Sequence, residues 1–174
     1  MSTHGDFKVE VTKDYLVFAS AHFITFAGHR CESLHGHNYR VAVALEGALD
    51  VENWYVFDFV ALKRLMKRLC DALDHRVLLP LENPKLRIDE REDTVTVAYE
   101  GRTRYQFPRR DCVLLPIANT TAEMLARYLA GQVRAELVAT GVTNVTALAL
   151  EVEESFGQSA LYRERIAPEA GGRG

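Results

Sequence analysis

The sequence predicts an α+β fold in which a four-stranded antiparallel sheet carries two helices on one face. Three observations predict it. Residues 7–18 and 35–47 show the apolar and polar alternation of half-buried strands; two further segments repeat apolar residues at three and four, as amphipathic helices do; and two more strand-like runs close the chain. The resulting order is strand, strand, helix, helix, strand, strand (ββααββ), which groups the helices on one side of the sheet.

The first run, FKVEVTKDYLVF, is rich in β-branched and aromatic residues, and Lys13-Asp14 reads as a turn that breaks it before it delivers Ser20, Ala21 and His22. A loop over residues 27–34 follows. In HGHNYRVAVALEG, Tyr39, Val41, Val43 and Leu45 alternate with Arg40, Ala42 and Ala44, which pairs this strand with the first. Residues 54–57 read as a short strand. From Asp58, the positions Phe59, Leu62, Leu65, Met66, Leu69 and Leu73 mark one face of a helix ending near His75. The second helix is announced by Asn119-Thr120-Thr121-Ala122-Glu123, a capping arrangement, continues through Met124, Leu125, Tyr128, Leu129 and Val133, and stops at Gly141. Residues 145–152 and 159–165 are the last two strands, joined around Gly157. Between the helices, residues 82–115 contain TVTVAYEGRTRYQF, an inserted β-hairpin turning at Glu100-Gly101. A single domain over residues 1–174 accommodates all of this, with a Gly-rich tail, residues 167–174, expected to be disordered.

Composition excludes several classes of function. At 174 residues, 48% of them hydrophobic and 26% charged, the chain has an ordinary globular make-up. A net charge of -3 lacks the basic surplus of a nucleic-acid or anionic-membrane binder, so any anionic ligand needs a local pocket. Three unpaired cysteines, Cys31, Cys70 and Cys112, argue against a disulfide framework. With no basic and apolar leader at residues 1–6 and no membrane-length apolar run, the expectation is a reduced, cytoplasmic protein.

His35 and His37 lie two apart on a strand, so their side chains share a face, and His22 ends the neighbouring strand. Three imidazoles suit a zinc ion with one coordination position left open, the arrangement of a catalytic site. Cys31 leaves an alternative: as a fourth ligand it would close a structural Cys-His₃ shell. Otherwise its thiol, beside a dication and near Arg30, is expected to have a lowered pKa and to serve as base or nucleophile. Cys70 and Cys112 read as packing residues.

The strings Phe18-Ala-Ser-Ala-His22, Cys31-Glu-Ser-Leu-His35-Gly-His37 and Leu73-Asp74-His75 together resemble the 6-pyruvoyl-tetrahydropterin synthase superfamily, and within it the 6-carboxy-tetrahydropterin synthases, whose Cys-x₃-His-Gly-His spacing is similar. Asn119-Thr120-Thr121-Ala122-Glu123 and Glu154-Ser155 extend the resemblance over most of residues 7–165. It implies the tunnelling fold (T-fold), with Zn²⁺ held by His22, His35 and His37. The substrate it implies is 7,8-dihydroneopterin triphosphate, a small-molecule pterin triphosphate, converted to 6-carboxy-tetrahydropterin, acetaldehyde and triphosphate on the way to queuosine. Cys31 would move protons, Asp74 and His75 would form an acid–base pair, and Glu154, assisted by Thr120 and Thr121, would bind the pterin. It also implies a homo-oligomer, trimer or hexamer, with active sites between subunits, so that Asp74 and His75, which diverge on one helix, meet Cys31 of a neighbouring chain.

Other readings of the same residues stay open. Asp74-His75 reads equally as a helix end, Glu154 as part of an acidic surface cluster with Glu151 and Glu153, and Thr120 as an N-cap. Glu32 stands where some relatives place a proton-transferring glutamate in an aldolase-type cleavage of dihydroneopterin, and the pyruvoyl reaction is a second variant. Lys63, Arg64, Arg76, Arg109 and Arg110 are the candidates to hold the triphosphate. The reading from another class is a zinc-stabilised pterin-binding or assembly protein without turnover, using the insertion for partner contacts.

Overall fold

The computed structural model describes residues 6–166, so the Gly-rich tail lies outside the described residues. The chain opens with β1 (Phe7–His22), two short paired strands, β2 (Thr25–Phe26) and β3 (Arg30–Cys31), and β4 (His35–Gly47). Strands β1 and β4 pair antiparallel from Phe7↔Gly47 to His22↔His35. The turn expected at Lys13-Asp14 is absent: the strand runs through, with a register irregularity between Val11 and Leu16. Val11 and Leu16 are five apart, an odd interval that strict alternation would place on opposite faces, yet both are buried. The irregularity restores the parity.

Helix α1 (Phe59–Leu73) starts at Asp58, whose carboxylate accepts from the Ala61 amide at 2.7 Å, and buries Leu62, Leu65, Met66, Cys70 and Leu73. The short strand expected at residues 54–57 does not form. The Asp50 carboxylate instead accepts from the amides of Glu52 and Asn53, and the Trp54 amide donates to the Asp50 carbonyl at 3.0 Å. Such local side-chain bonds compete with ladder formation.

After α1 come β5 (Arg76–Pro80), β6 (Leu86–Glu90), β7 (Thr94–Tyr99), β8 (Arg102–Pro108), β9 (Cys112–Leu115), α2 (Ala122–Ala139), β10 (Val145–Ser155) and β11 (Gln158–Arg165). The main sheet is therefore six-stranded and mixed, in the order β11-β10-β4-β1-β5-β9. The four expected strands form its antiparallel part, while β5 runs parallel to β1 and β9 parallel to β5. This corrects the four-stranded antiparallel sheet. RVLLP and CVLL are short runs without alternation, as parallel strands are when both faces are covered, and periodicity does not single them out. The insertion is likewise more than a hairpin. Strands β6, β7 and β8 form a separate three-stranded sheet, and Glu100 and Gly101 turn between β7 and β8 with φ of 51° and 76°.

Both helices pack on one face of the main sheet, and the core between them includes Leu16, Phe18, Tyr39, Val41, Leu62, Met66, Leu125, Leu129, Leu148 and Leu150. A second cluster of Phe23, Leu79, Val95, Val97 and Cys112 joins the inserted sheet to the end of β1, with Cys31 and Tyr105 packed against it. Among the described residues no helix is long and apolar enough to cross a membrane.

Candidate functional site

Pairing of β1 with β4 sets His22 opposite His35, and His37 follows two residues along on the same face. The three rings approach with centroid separations of 4.7, 5.2 and 4.8 Å. One nitrogen from each lies within 4.8 Å of the others, a group that could hold a metal ion. Gly36 lets the strands approach closely here: a Cβ at that position would sit 3.1 Å from the Ser20 carbonyl oxygen.

Hydrogen bonds behind the rings orient them. His22 Nδ1 lies 2.8 Å from the Thr120 carbonyl oxygen, and His35 Nδ1 lies 2.9 Å from that of Ser33. A carbonyl only accepts, so each Nδ1 carries the proton and each Nε2 keeps its lone pair. His22 Nε2 is buried with no hydrogen-bond partner, and burial, the largest influence, holds the His22 imidazole below its ordinary pKa. A neutral imidazole presenting an orphaned nitrogen beside two others fits a zinc-type cation. Cys31 is not part of this group.

Glu154 faces the same centre. Its Oε1 lies 3.3 Å from His22 Nε2 and 3.8 Å from His37 Nε2, and the buried Tyr39 hydroxyl donates to it at 3.4 Å. Burial, followed by the charge of Glu154, pushes the Tyr39 hydroxyl upward in pKa. Glu153 is buried and pairs with Arg40 at 3.6 Å, so Glu154 is not one of a solvated acidic group.

Asp74 and His75 are not divergent helical residues. Helix α1 ends at Leu73, Asp74 is its C-terminal cap, and His75, at φ 55°, turns the chain into β5. This turn brings Asp74 Oδ2 to 2.8 Å from His75 Nδ1, while Asp74 Oδ1 accepts from the Ala19 amide at 2.7 Å. That amide bond is the main reason the Asp74 carboxyl sits below its ordinary pKa. The dyad, His37, Glu154 and Arg40 line a common cavity of about 750 Å³. Its size suits a small organic ligand.

Cys31 and Glu32 do not line that cavity. In the metal-free chain burial pushes the Cys31 thiol up in pKa; Arg30, expected to lower it together with a dication, has its guanidinium over the Phe26 ring at 5.4 Å, and the cation opposing the rise is Arg104. Glu32 Oε2 is buried with no hydrogen-bond partner and lies 3.8 Å from His35 Nδ1. Thr120 is not the helix cap. It is fully buried, its hydroxyl donates to the Phe23 carbonyl at 2.9 Å, and Thr121 caps α2 by accepting from the Met124 amide.

The expected triphosphate cations are dispersed. Lys63 lies over the Tyr15 ring, Arg64 lines a groove along α1, Arg76 donates to the Arg110 carbonyl, Arg109 pairs with Glu90, and Arg110 stands 3.6 Å from Asp111. Sequence reasoning missed the Thr120 carbonyl, Tyr39 and Arg104. Main-chain acceptors leave no mark in a sequence; Tyr39 had been visible as a core position, though not as a donor to Glu154.

Comparison with known proteins gives a consistent result. The sequence profile described as 6-pyruvoyl tetrahydropterin synthase matches residues 10–165. A Methanocaldococcus jannaschii protein, named provisionally as a 6-carboxy-5,6,7,8-tetrahydropterin synthase, is 38% identical over 151 residues, 87% of this chain and 91% of its own. A Pyrococcus furiosus protein named dihydroneopterin monophosphate aldolase is 35% identical over 80 residues, covering 42% of this chain and 67% of its own. A Plasmodium vivax 6-pyruvoyl tetrahydropterin synthase superposes with a TM-score of 0.85 at 34% identity, covering 93% of this chain and 99% of that one. Two further structures of that enzyme replace a glutamate, named as a catalytic residue, by alanine or by cysteine.

Proposed function

Because the chain belongs to the 6-pyruvoyl tetrahydropterin synthase family, we propose that it is a zinc-dependent lyase that converts 7,8-dihydroneopterin triphosphate and water into 6-carboxy-5,6,7,8-tetrahydropterin, acetaldehyde and triphosphate. The observation that carries this reading is that Glu154 and the Asp74–His75 dyad line one cavity together with His37, which also belongs to the three-imidazole cluster. Zn²⁺ bound there would polarise a side-chain oxygen of the substrate and acidify the adjoining C–H bonds.

The chain's own residues do the rest. Glu154 accepts two parallel hydrogen bonds from the ring N–H and exocyclic amine of the pterin, aided by the carboxylate's position beside Tyr39. His75 exchanges a proton with the substrate side chain through Nε2, since Nδ1 is engaged by Asp74. Thr120 and Thr121 act behind the site, through the carbonyl that orients His22 and the cap of α2. Cys31 is the second proton carrier. It lies away from its own chain's cavity, which favours a homo-oligomer, trimer or hexamer, in which the Cys31 loop closes a neighbouring cavity. A monomer in light scattering contradicts that assembly.

A second reading is favoured by Glu32, whose carboxylate oxygen is buried, unpartnered and next to His35, whereas burial pushes the Cys31 thiol up in pKa. With Glu32 as proton carrier the chemistry shifts toward an aldolase-type cleavage of dihydroneopterin or toward the pyruvoyl reaction. Incubating the zinc-loaded protein with 7,8-dihydroneopterin triphosphate separates them. Acetaldehyde with triphosphate supports the carboxy reaction, a different pterin product supports the second reading, and tight pterin binding without any product leaves only the non-catalytic, zinc-stabilised binding protein.

A further inference from the structure

The residues that carry the proposed proton transfer, Cys31 and Glu32, stand at the end of β3 and in a segment, residues 32–34, with no regular secondary structure. Cys31 pairs with Thr25 in the short β2–β3 ladder, and the Glu32 amide donates to the Ile24 carbonyl at 2.9 Å. Further ties come from the inserted sheet. Arg104 Nη2 donates to the carbonyl oxygens of Cys31 at 3.2 Å and Glu32 at 3.0 Å. Next to it, the Tyr105 hydroxyl accepts from the Leu34 amide at 3.0 Å and from Arg104 Nε at 3.2 Å.

Successive residues of a regular strand point to opposite faces, so Arg104 and Tyr105 should not serve one loop. The pairing of β7 with β8 explains how they do. Val97 pairs with Tyr105 and Ala98 with Thr103, leaving Arg104 as an extra residue opposite neither. This is a β-bulge, which turns an adjacent side chain out of alternation. Tyr105 is fixed on its inner side by the Phe23 ring, 5.2 Å away at the end of β1, so the clamp is anchored next to His22.

We infer that the bulge at Arg104 makes Arg104 a positioning residue for the Cys31–Glu32 proton-transfer segment, with Tyr105 as its support, and that the inserted sheet exists in this chain to set the placement of that segment. The inference rests on the proposed lyase function for its kinetic consequence, though not for its structural one. Neither residue lines the 750 Å³ cavity of its own chain. A planar guanidinium suits the task because it can offer hydrogens to two carbonyls and a hydroxyl at once, which an ammonium on a flexible stem does not reproduce.

The test uses the zinc-loaded full chain and the variants Arg104→Ala, Arg104→Lys and Tyr105→Phe. Expected for Arg104→Ala is a fall in kcat of about ten- to hundred-fold, the cost of misplacing a reacting group by roughly 1 Å. KM, zinc content and melting temperature stay within about two-fold or a few degrees of the parent, and Arg104→Lys recovers part of kcat. Amide exchange by NMR reads the same effect without activity: Leu34 exchanges about ten-fold faster in Arg104→Ala and Tyr105→Phe, while Glu32, bonded to Ile24, does not. An unchanged kcat in Arg104→Ala, or a kcat that falls only in step with melting temperature and zinc, overturns the inference. If the parent chain shows no turnover at all, the lyase reading fails, and the Leu34 exchange rate alone decides the inference, an unchanged rate overturning it.

Discussion

His22 Nδ1 lies 2.8 Å from the carbonyl oxygen of Thr120, 98 positions away in sequence, and this one hydrogen bond joins the end of β1 to the residue before the α2 cap. It fixes the tautomer of the most buried histidine among the described residues and turns Nε2 toward His35 and His37. The Thr120 hydroxyl in turn holds the Phe23 carbonyl. Thr120→Val keeps the shape but leaves that carbonyl without its donor. The expected outcome is a loss of about 1–2 kcal/mol in urea unfolding and a zinc affinity weakened about ten-fold in competition with a chelator.

The same burial predicts a pH dependence. In the metal-free chain the His22 pKa is lowered from 6.5 by desolvation, so below about 6.5 the unfolded chain takes up a proton that the folded chain refuses. Stability from this group is complete above that pH and declines as pH falls through it. Urea midpoints of the metal-free protein measured between pH 8 and 5 should drop on the acid side, and His22→Gln should flatten the drop. An equal slope in both proteins rules His22 out as its source.

Cys31 and Glu32 separate by substitution. Neither belongs to the three-histidine group, so Cys31→Ala and Glu32→Gln should each retain zinc at the parental stoichiometry. Under the carboxy reaction, Cys31→Ala loses acetaldehyde formation by about a hundred-fold or more. Under the aldolase-type reaction the larger loss falls on Glu32→Gln. Loss of zinc from Cys31→Ala contradicts both and returns the cysteine to a ligand role.

Asp74 has two partners, and they can be told apart. Asp74→Asn still accepts from the Ala19 amide yet no longer places a carboxylate on His75, so turnover should fall about ten- to hundred-fold with little change in melting temperature. Asp74→Ala also frees the Ala19 amide and should cost about 1 kcal/mol more. Because the Asp74 carboxyl is held below its ordinary 3.8, its stabilising effect is present above that pH and disappears as pH falls through the lower folded value.

Gly36 sits between two of the histidines, where a Cβ would press tightly on the Ser20 carbonyl. Gly36→Ala forces its Cβ, 3.1 Å from the Ser20 carbonyl, against backbone that cannot rotate away. The expected cost is about 1–3 kcal/mol, with zinc affinity reduced because His35 and His37 move with the strand. Thermal unfolding with and without zinc measures both effects.

Both helices, the four-stranded antiparallel part of the sheet and the three-histidine cluster were legible because each rests on local periodicity. A period of two puts His35 and His37 on one face wherever the strand goes, and the 3.6 period gives α1 and α2 their buried stripes. β5 and β9 were not legible, since a short apolar run buried on both faces has no alternation to read. For the same reason the sheet was expected with four strands and has six.

By itself, then, the sequence determined which three residues could hold a metal ion and the family to which the chain belongs, because ligand type and spacing along one strand are local properties. Tertiary structure alone decided how they are held. The approach of Glu154 to His22 across the sheet and the bulge that brings Arg104 to Cys31 and Glu32 join segments far apart in the chain, and the backbone turn at His75 makes the adjacent Asp74 and His75 a hydrogen-bonded pair. Such contacts depend on register and on main-chain carbonyls, and neither is written in side-chain chemistry.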